Sequence, residues 1–187
     1  MYPESYIRYL IELHLTRDWF ECHEIMEEAW KEEQDPELKL LWLSLIRLAV
    51  GLYHERRANP KGALTMYERV LEAMPNLAWQ RLKIEPIQLT GLVEERIKAV
   101  QHNHHAQAAP PYDLYLELPL CDHRLIEACV EHASLLGLDW HDREWQHDEA
   151  IIHRHSQRDR TDVIEAREAS LAKKEALRRS PPDSLEM

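Results

Sequence analysis

Leu40-Leu-Trp-Leu-Ser-Leu-Ile-Arg-Leu-Ala-Val-Gly-Leu-Tyr53 is apolar on almost every side of a helix, with one cation, Arg47, at its middle. A helix that presents carbon all round is wrapped by other elements, so this stretch sets the centre of an all-α fold. It is shorter than the ~20 apolar residues that a bilayer span requires, and the central arginine opposes insertion. Asp35-Pro36 marks its start, an N-cap followed by a first-turn proline, and the helix is expected to run to about Arg57.

The neighbouring stretches carry equally clear punctuation. Asp18, with Glu21 three residues on, has the spacing of a capping box and opens a helix through about Lys31. Asn59-Pro60 repeats the cap-and-proline signal for a helix ending before Pro75, and another helix begins at Pro86 or Thr90 and reaches about His102. Upstream, Ile7, Leu10, Ile11 and His14 fall on one helical stripe. His102 to Pro111 reads as a polar, Ala/Pro-rich linker. Tyr112, Leu114, Leu116, Leu118 and Leu120 then alternate at period two, as in a short extended segment. Asp122 caps a helix that stops at Gly137. From Asp142 onward the chain is charged, helix-prone and poor in large apolar side chains. The expectation is an all-α, compact multi-helix bundle. A helical core domain covers residues 1–105, a linker and extended segment 106–121, and a helical C-terminal extension 122–187.

Composition agrees. Of 187 residues only 4 are glycine against 10 proline, which disfavours Gly-rich nucleotide folds and β-sandwiches, while 44% hydrophobic residues suffice for a core. With 23 Lys+Arg against 34 Asp+Glu the net charge is −11, so a nucleic-acid or anionic-membrane partner is not expected. Cys22, Cys121 and Cys129 form no CxxC pair and imply neither a disulfide framework nor a thiolate zinc site. Met1-Tyr2-Pro3-Glu4 is polar from the outset, which points to a cytoplasmic protein.

The candidate chemistry centres on Arg47. A lone buried charge is costly, and removing one partner of a buried pair costs about 3–5 kcal/mol. Arg47 therefore calls for a carboxylate, and the preceding helix offers Glu24, with Glu21, Glu27 or Glu28 as substitutes. His54 lies seven residues after Arg47 on the same face, which gives a cluster of His23, Glu24, Glu27, Arg47 and His54. Three readings stay open. His23, Glu27 and His54 could hold a divalent metal, the one cofactor the residues suggest. A His/Glu acid–base pair could act on an anion held by Arg47, as in a hydrolase. Alternatively the cluster only locks two helices together, and Trp19, Trp30, Trp42 and Tyr53 are core aromatics. His102-Asn-His-His105 and His153-Arg-His155 are weaker metal candidates, placed in the linker and on different faces of a helix. Gly51, Ala63, Tyr67 and Pro75 match one tetratricopeptide hairpin, but no second copy follows at that repeat's period.

Phe20-Glu-Cys-His-Glu-Ile-Met-Glu-Glu-Ala-Trp30, then Leu45-Ile-Arg-Leu-Ala-Val-Gly-Leu-Tyr-His54 and Asn59-Pro-Lys-Gly-Ala63, resemble the family called domain of unknown function 309 over about residues 6 to 73. The resemblance implies a compact all-helical domain of small cytosolic microbial proteins, and it carries no catalytic residues over. The family pattern typically has glutamine where this chain has Arg47. The leading expectation is a non-catalytic scaffold or protein-interaction module. Its C-terminal arm, with seven Lys/Arg against five Asp/Glu between Gln157 and Ser180, permits self-association or partner contact, and a simple solvated helix is the preferred explanation of the same pattern.

Overall fold

The computed structural model describes residues 2–109, 111–142, 144 and 148–154. The C-terminal arm from Gln157 to Ser180, and the His153/His155 pair as a pair, therefore lie outside the described residues.

Among the described residues there are seven α-helices, most of which follow the expected punctuation. Helix α1 (Glu4–Ile11) widens into a π-helical turn over Glu12–Thr16, which ends at Arg17 in the left-handed region (φ 53). His14, expected on an α-helical stripe, belongs to this wide turn. Asp18 then caps α2 (Trp19–Glu32) by accepting the Glu21 amide. The reciprocal arm of a capping box is replaced, because the Thr16 hydroxyl accepts the Asp18 amide at 3.1 Å. Asp35 accepts the amides of Glu37 and Leu38 to start α3 (Pro36–Arg56), and Asn59 accepts the Gly62 amide to start α4 (Pro60–Ala73).

Helix α3 packs between α2 and α4, α4 packs in turn on α5 (Pro86–Ala106), and α1 bridges α2 and α6 (His123–Leu135). Leu41, Leu45, Leu48, Ala49 and Leu52 are fully buried, as a central helix requires. The wrapping is incomplete on one side: Leu43, Arg47, Val50 and His54 form a half-exposed edge. Tyr9 donates its hydroxyl to the Leu45 carbonyl and Tyr6 donates to that of Leu82, so the phenols of α1 satisfy backbone acceptors across the core.

Gly51 sets the approach of α3 to α4. A Cβ there would lie 2.5 Å from Tyr67 Cε1, and the Tyr67 hydroxyl is held by Glu55, so the ring cannot swing away. This contact accounts for the hairpin-like Gly51/Tyr67 spacing in a chain without a repeat. Gly51→Ala is expected to lower the unfolding free energy by about 1–3 kcal/mol in urea denaturation, despite the better helix propensity of alanine.

Helix α5 is longer than its sequence suggested. His102 to Ala106 continue it, and it stops only at Gln107 in the left-handed region. The His102-Asn-His-His105 run is thus a last helical turn, not linker. The period-two stretch expected from Tyr112 to Leu120 is non-helical, with Leu114, Leu116 and Leu118 buried and Glu117 outward, but Tyr112 and Asp113 lie in a turn and the Leu120 amide donates to the Leu118 carbonyl. One antiparallel bridge, Ile84 to Leu120, joins this segment to the turn before α5. Helix α6 ends in a Schellman motif, with the Gly137 amide on Ser134 and the Leu138 amide on Ala133. The short helix α7 (Glu149–Ile152) buries Ile152, and the compact unit closes at His153.

Arg81 clamps the start of α3, its guanidinium 2.6 Å from Asp35 and 2.9 Å from Glu37. Arg81, with the Leu38 and Glu37 amides, holds the Asp35 carboxyl down at about 2. A carboxyl depressed in the folded state adds stability that is whole above the unfolded value of about 3.9 and is lost as pH falls through the folded one. Asp35→Asn should therefore flatten the fall of the urea midpoint over this acid window. An equal slope in both proteins would refute the assignment.

Candidate functional site

Helix α2 turns Cys22, Ile25 and Met26 to the core, which leaves His23, Glu24 and Glu27 on its half-exposed side. His23 Nδ1 lies 3.1 Å from Glu24 Oε1, and His23 Nε2 lies 3.9 Å from Glu27 Oε2. One ligand atom from each residue falls within 4.8 Å of the other two. Imidazole with two carboxylates is a donor set that suits zinc, iron or manganese. Glu27 is also shared with Lys31, whose ammonium lies 3.1 Å away and supplies the local positive charge.

The other two members expected of this cluster lie elsewhere. Arg47 is half-exposed and makes no ion pair or side-chain hydrogen bond among the described residues, while Glu24 turns to His23. The expected Arg47–Glu24 pair does not form, because Arg47 lies on the incompletely wrapped edge of α3 where water solvates it. His54 is outside the His23 group. Its ring covers Gly62 at the start of α4, and its Nδ1 meets the Asn59 amide nitrogen at 3.1 Å. Burial, helped by Arg57, pushes its imidazole below the usual histidine value. The Phe20 ring stands between the two regions, 6.0 Å from His23 and 6.1 Å from Tyr53 by ring centroids.

The buried charges of α3 are in its last turn. Arg56 is 0% exposed; its Nη1 donates to the Arg17 carbonyl at 2.8 Å, and its guanidinium covers the Trp19 ring at 4.2 Å. Burial draws it down to about 10, with Asp18 acting in the opposite direction, so it stays charged at neutral pH. The π turn is what delivers these partners. It ends in the left-handed Arg17, whose carbonyl meets α3 and whose guanidinium donates to the Asp113 carbonyl and covers Tyr115. His14, in the same turn, accepts the Leu118 amide at Nε2 (3.2 Å), which requires the Nδ1-protonated tautomer.

Glu55, 4% exposed, accepts the Tyr67 hydroxyl at 2.8 Å and Arg96 Nη2 at 2.7 Å. Burial raises its carboxyl above the usual range against the opposing pull of Arg96, and the Tyr67 phenol is raised well above its own. Glu55 also borders a cavity of about 220 Å³ between the end of α3, the start of α4 and the end of α5, where Pro60, Val100, Asn103 and His104 face it. Sequence reasoning missed Glu55, Arg56 and Arg96. The signal for the first two was in the periodicity: they lie three and four residues after Leu52, on the buried stripe of α3.

Fold and site together define a small helical-bundle protein with a His-Glu-x-x-Glu helix and a central helix whose last turn carries buried charge. The chain belongs to the family described as domain of unknown function (DUF309), whose model matches residues 6–66. It is 37% identical over 182 residues to the "Uncharacterized protein YpuF" of Bacillus subtilis (strain 168), covering 95% of this chain and 99% of that protein. A 61-residue stretch is 33% identical to an "Uncharacterized protein" of Aquifex aeolicus (strain VF5), covering 33% of this chain and 18% of that one. No solved structure matches.

Proposed function

We propose that this protein is a cytoplasmic, non-catalytic interaction module that associates with itself or a protein partner through its C-terminal arm. The observation that supports this reading is where the buried titratable groups are used. Glu55 is bonded to Tyr67 and Arg96, and Arg56 to Arg17 and Trp19, so the strongest electrostatic features hold elements together. The His23 set lies on one side of one helix and does not border the Glu55 cavity. Removal of residues 157–187, followed by mass measurement in solution and affinity capture, tests the reading. Loss of an assembled state or a captured partner is expected; unchanged assembly and capture would refute the role of the arm. No helix among the described residues is long and apolar enough to cross a membrane.

A second reading, a divalent-metal site, is favoured by the proximity of His23, Glu24 and Glu27. Under it, metal analysis of the purified protein gives stoichiometric zinc, iron or manganese that His23→Ala abolishes and His54→Ala does not. Metal-free protein, with no uptake on titration, refutes it.

A further inference from the structure

The π turn that follows α1 carries a buried imidazole to the 114–120 segment. His14 is 1% exposed, and its ring lies 5.2 Å from that of Trp140 by centroids. Its Nε2 accepts the Leu118 amide at 3.2 Å. A backbone amide only donates, so Nε2 must offer its lone pair, and the bond exists only while that nitrogen carries no proton. Proton and amide therefore compete for one lone pair. A proton on Nε2 strands the buried Leu118 amide, which is costly away from water. The other polar ties of this segment have no such competitor. The Arg17 guanidinium donates to the Asp113 carbonyl, the Glu85 amide to the Pro119 carbonyl and the Cys121 amide to the Lys83 carbonyl.

Residues 117–120 are one wall of a groove of about 600 Å³ that His14 also borders, with α5 and α6 on its other sides. Two carboxylates line this groove with His14, Glu95 of α5 and Glu117 of the segment itself. Ile126 of α6 and Trp140 bring no charge, and the π turn and its exit carry Glu12 and Arg17. We propose that His14 is a pH-responsive latch. Neutral, it holds the segment to the π turn; protonated, it lets go of the Leu118 amide and loosens that wall of the groove. The latch does not depend on the role of the C-terminal arm.

Amide hydrogen exchange of the full chain, followed by NMR from about pH 8 to pH 5 and corrected for intrinsic exchange, tests the latch. Protection of the Leu118 amide is expected to fall about tenfold or more on acidification. The fall should keep step with the nitrogen resonance of His14 Nε2, while Leu45, fully buried on α3, keeps its protection. His14→Gln retains an acceptor oxygen that takes up no proton in this range, so its Leu118 protection should be flat with pH. An imidazole that stays neutral throughout, Leu118 protection that does not follow the ring, or a fall that persists in His14→Gln overturns the proposal. If His14→Gln fails to fold, the parent protein alone decides: coincident midpoints for ring and amide sustain the latch, and separate midpoints overturn it.

Discussion

Arg56→Met is expected to lower the unfolding free energy by about 3–5 kcal/mol in urea denaturation, the scale for breaking a buried charged arrangement. The methionine fills much of the same volume, so the loss reports on electrostatics more than on a void. It removes the donor to the Arg17 carbonyl and the cation over Trp19, and it takes the positive charge away from the buried Asp18. These partners fix the exit of the π turn, so a looser Arg17–Asp18 corner should also expose the Trp19 ring, visible as a red shift in fluorescence. Arg47→Met is the matched control: its guanidinium has no such partners, and the change should stay within about 0.5 kcal/mol. Equal losses in the two variants would restore Arg47 to the role its central position suggests.

Glu55→Ala should cost about 3 kcal/mol or more, because it strands two groups together. Tyr67 is fully buried, and its hydroxyl has Glu55 as its acceptor; Arg96 spans from α5 to the same carboxylate. The variant therefore loosens α3, α4 and α5 at one point. Glu55→Gln keeps an acceptor oxygen for one of the two donors and should lose roughly half as much. Thermal denaturation of the pair separates a charge role from a packing role. If both variants melt with the parent protein, the Glu55 triad contributes nothing to the fold.

The helical frame was legible because its signals are local. Asp18, Asp35, Asn59 and Asp122 each announced a helix that starts within a residue of the expected place, and Gly137 announced a stop. Period-two leucines located the extended segment before α6. Periodicity places Glu55 and Arg56 on the buried stripe of α3, but their partners were not legible, since those lie far away in sequence. Arg56 meets its partners only when the π turn folds Arg17 to Trp19 against the end of α3, and Glu55 meets Tyr67 and Arg96 only when α4 and α5 pack there. Arg47 misled for the converse reason. A helix apolar on every side can still lie at an edge of its bundle, and Leu43, Arg47, Val50 and His54 mark that edge. His54 turns to Asn59 and Gly62 and stays outside the His23 group, which remains together because three ligands on one helix need no tertiary contact to meet.

The pairing of Arg56 with Trp19 joins α2 to α3, and a double-mutant cycle of Arg56→Met with Trp19→Leu measures that coupling free of what either change does alone. A desolvated cation–π contact predicts a favourable coupling of about 2 kcal/mol. Additive losses, with coupling indistinguishable from zero, would contradict the claim that this buried cation locks the two helices.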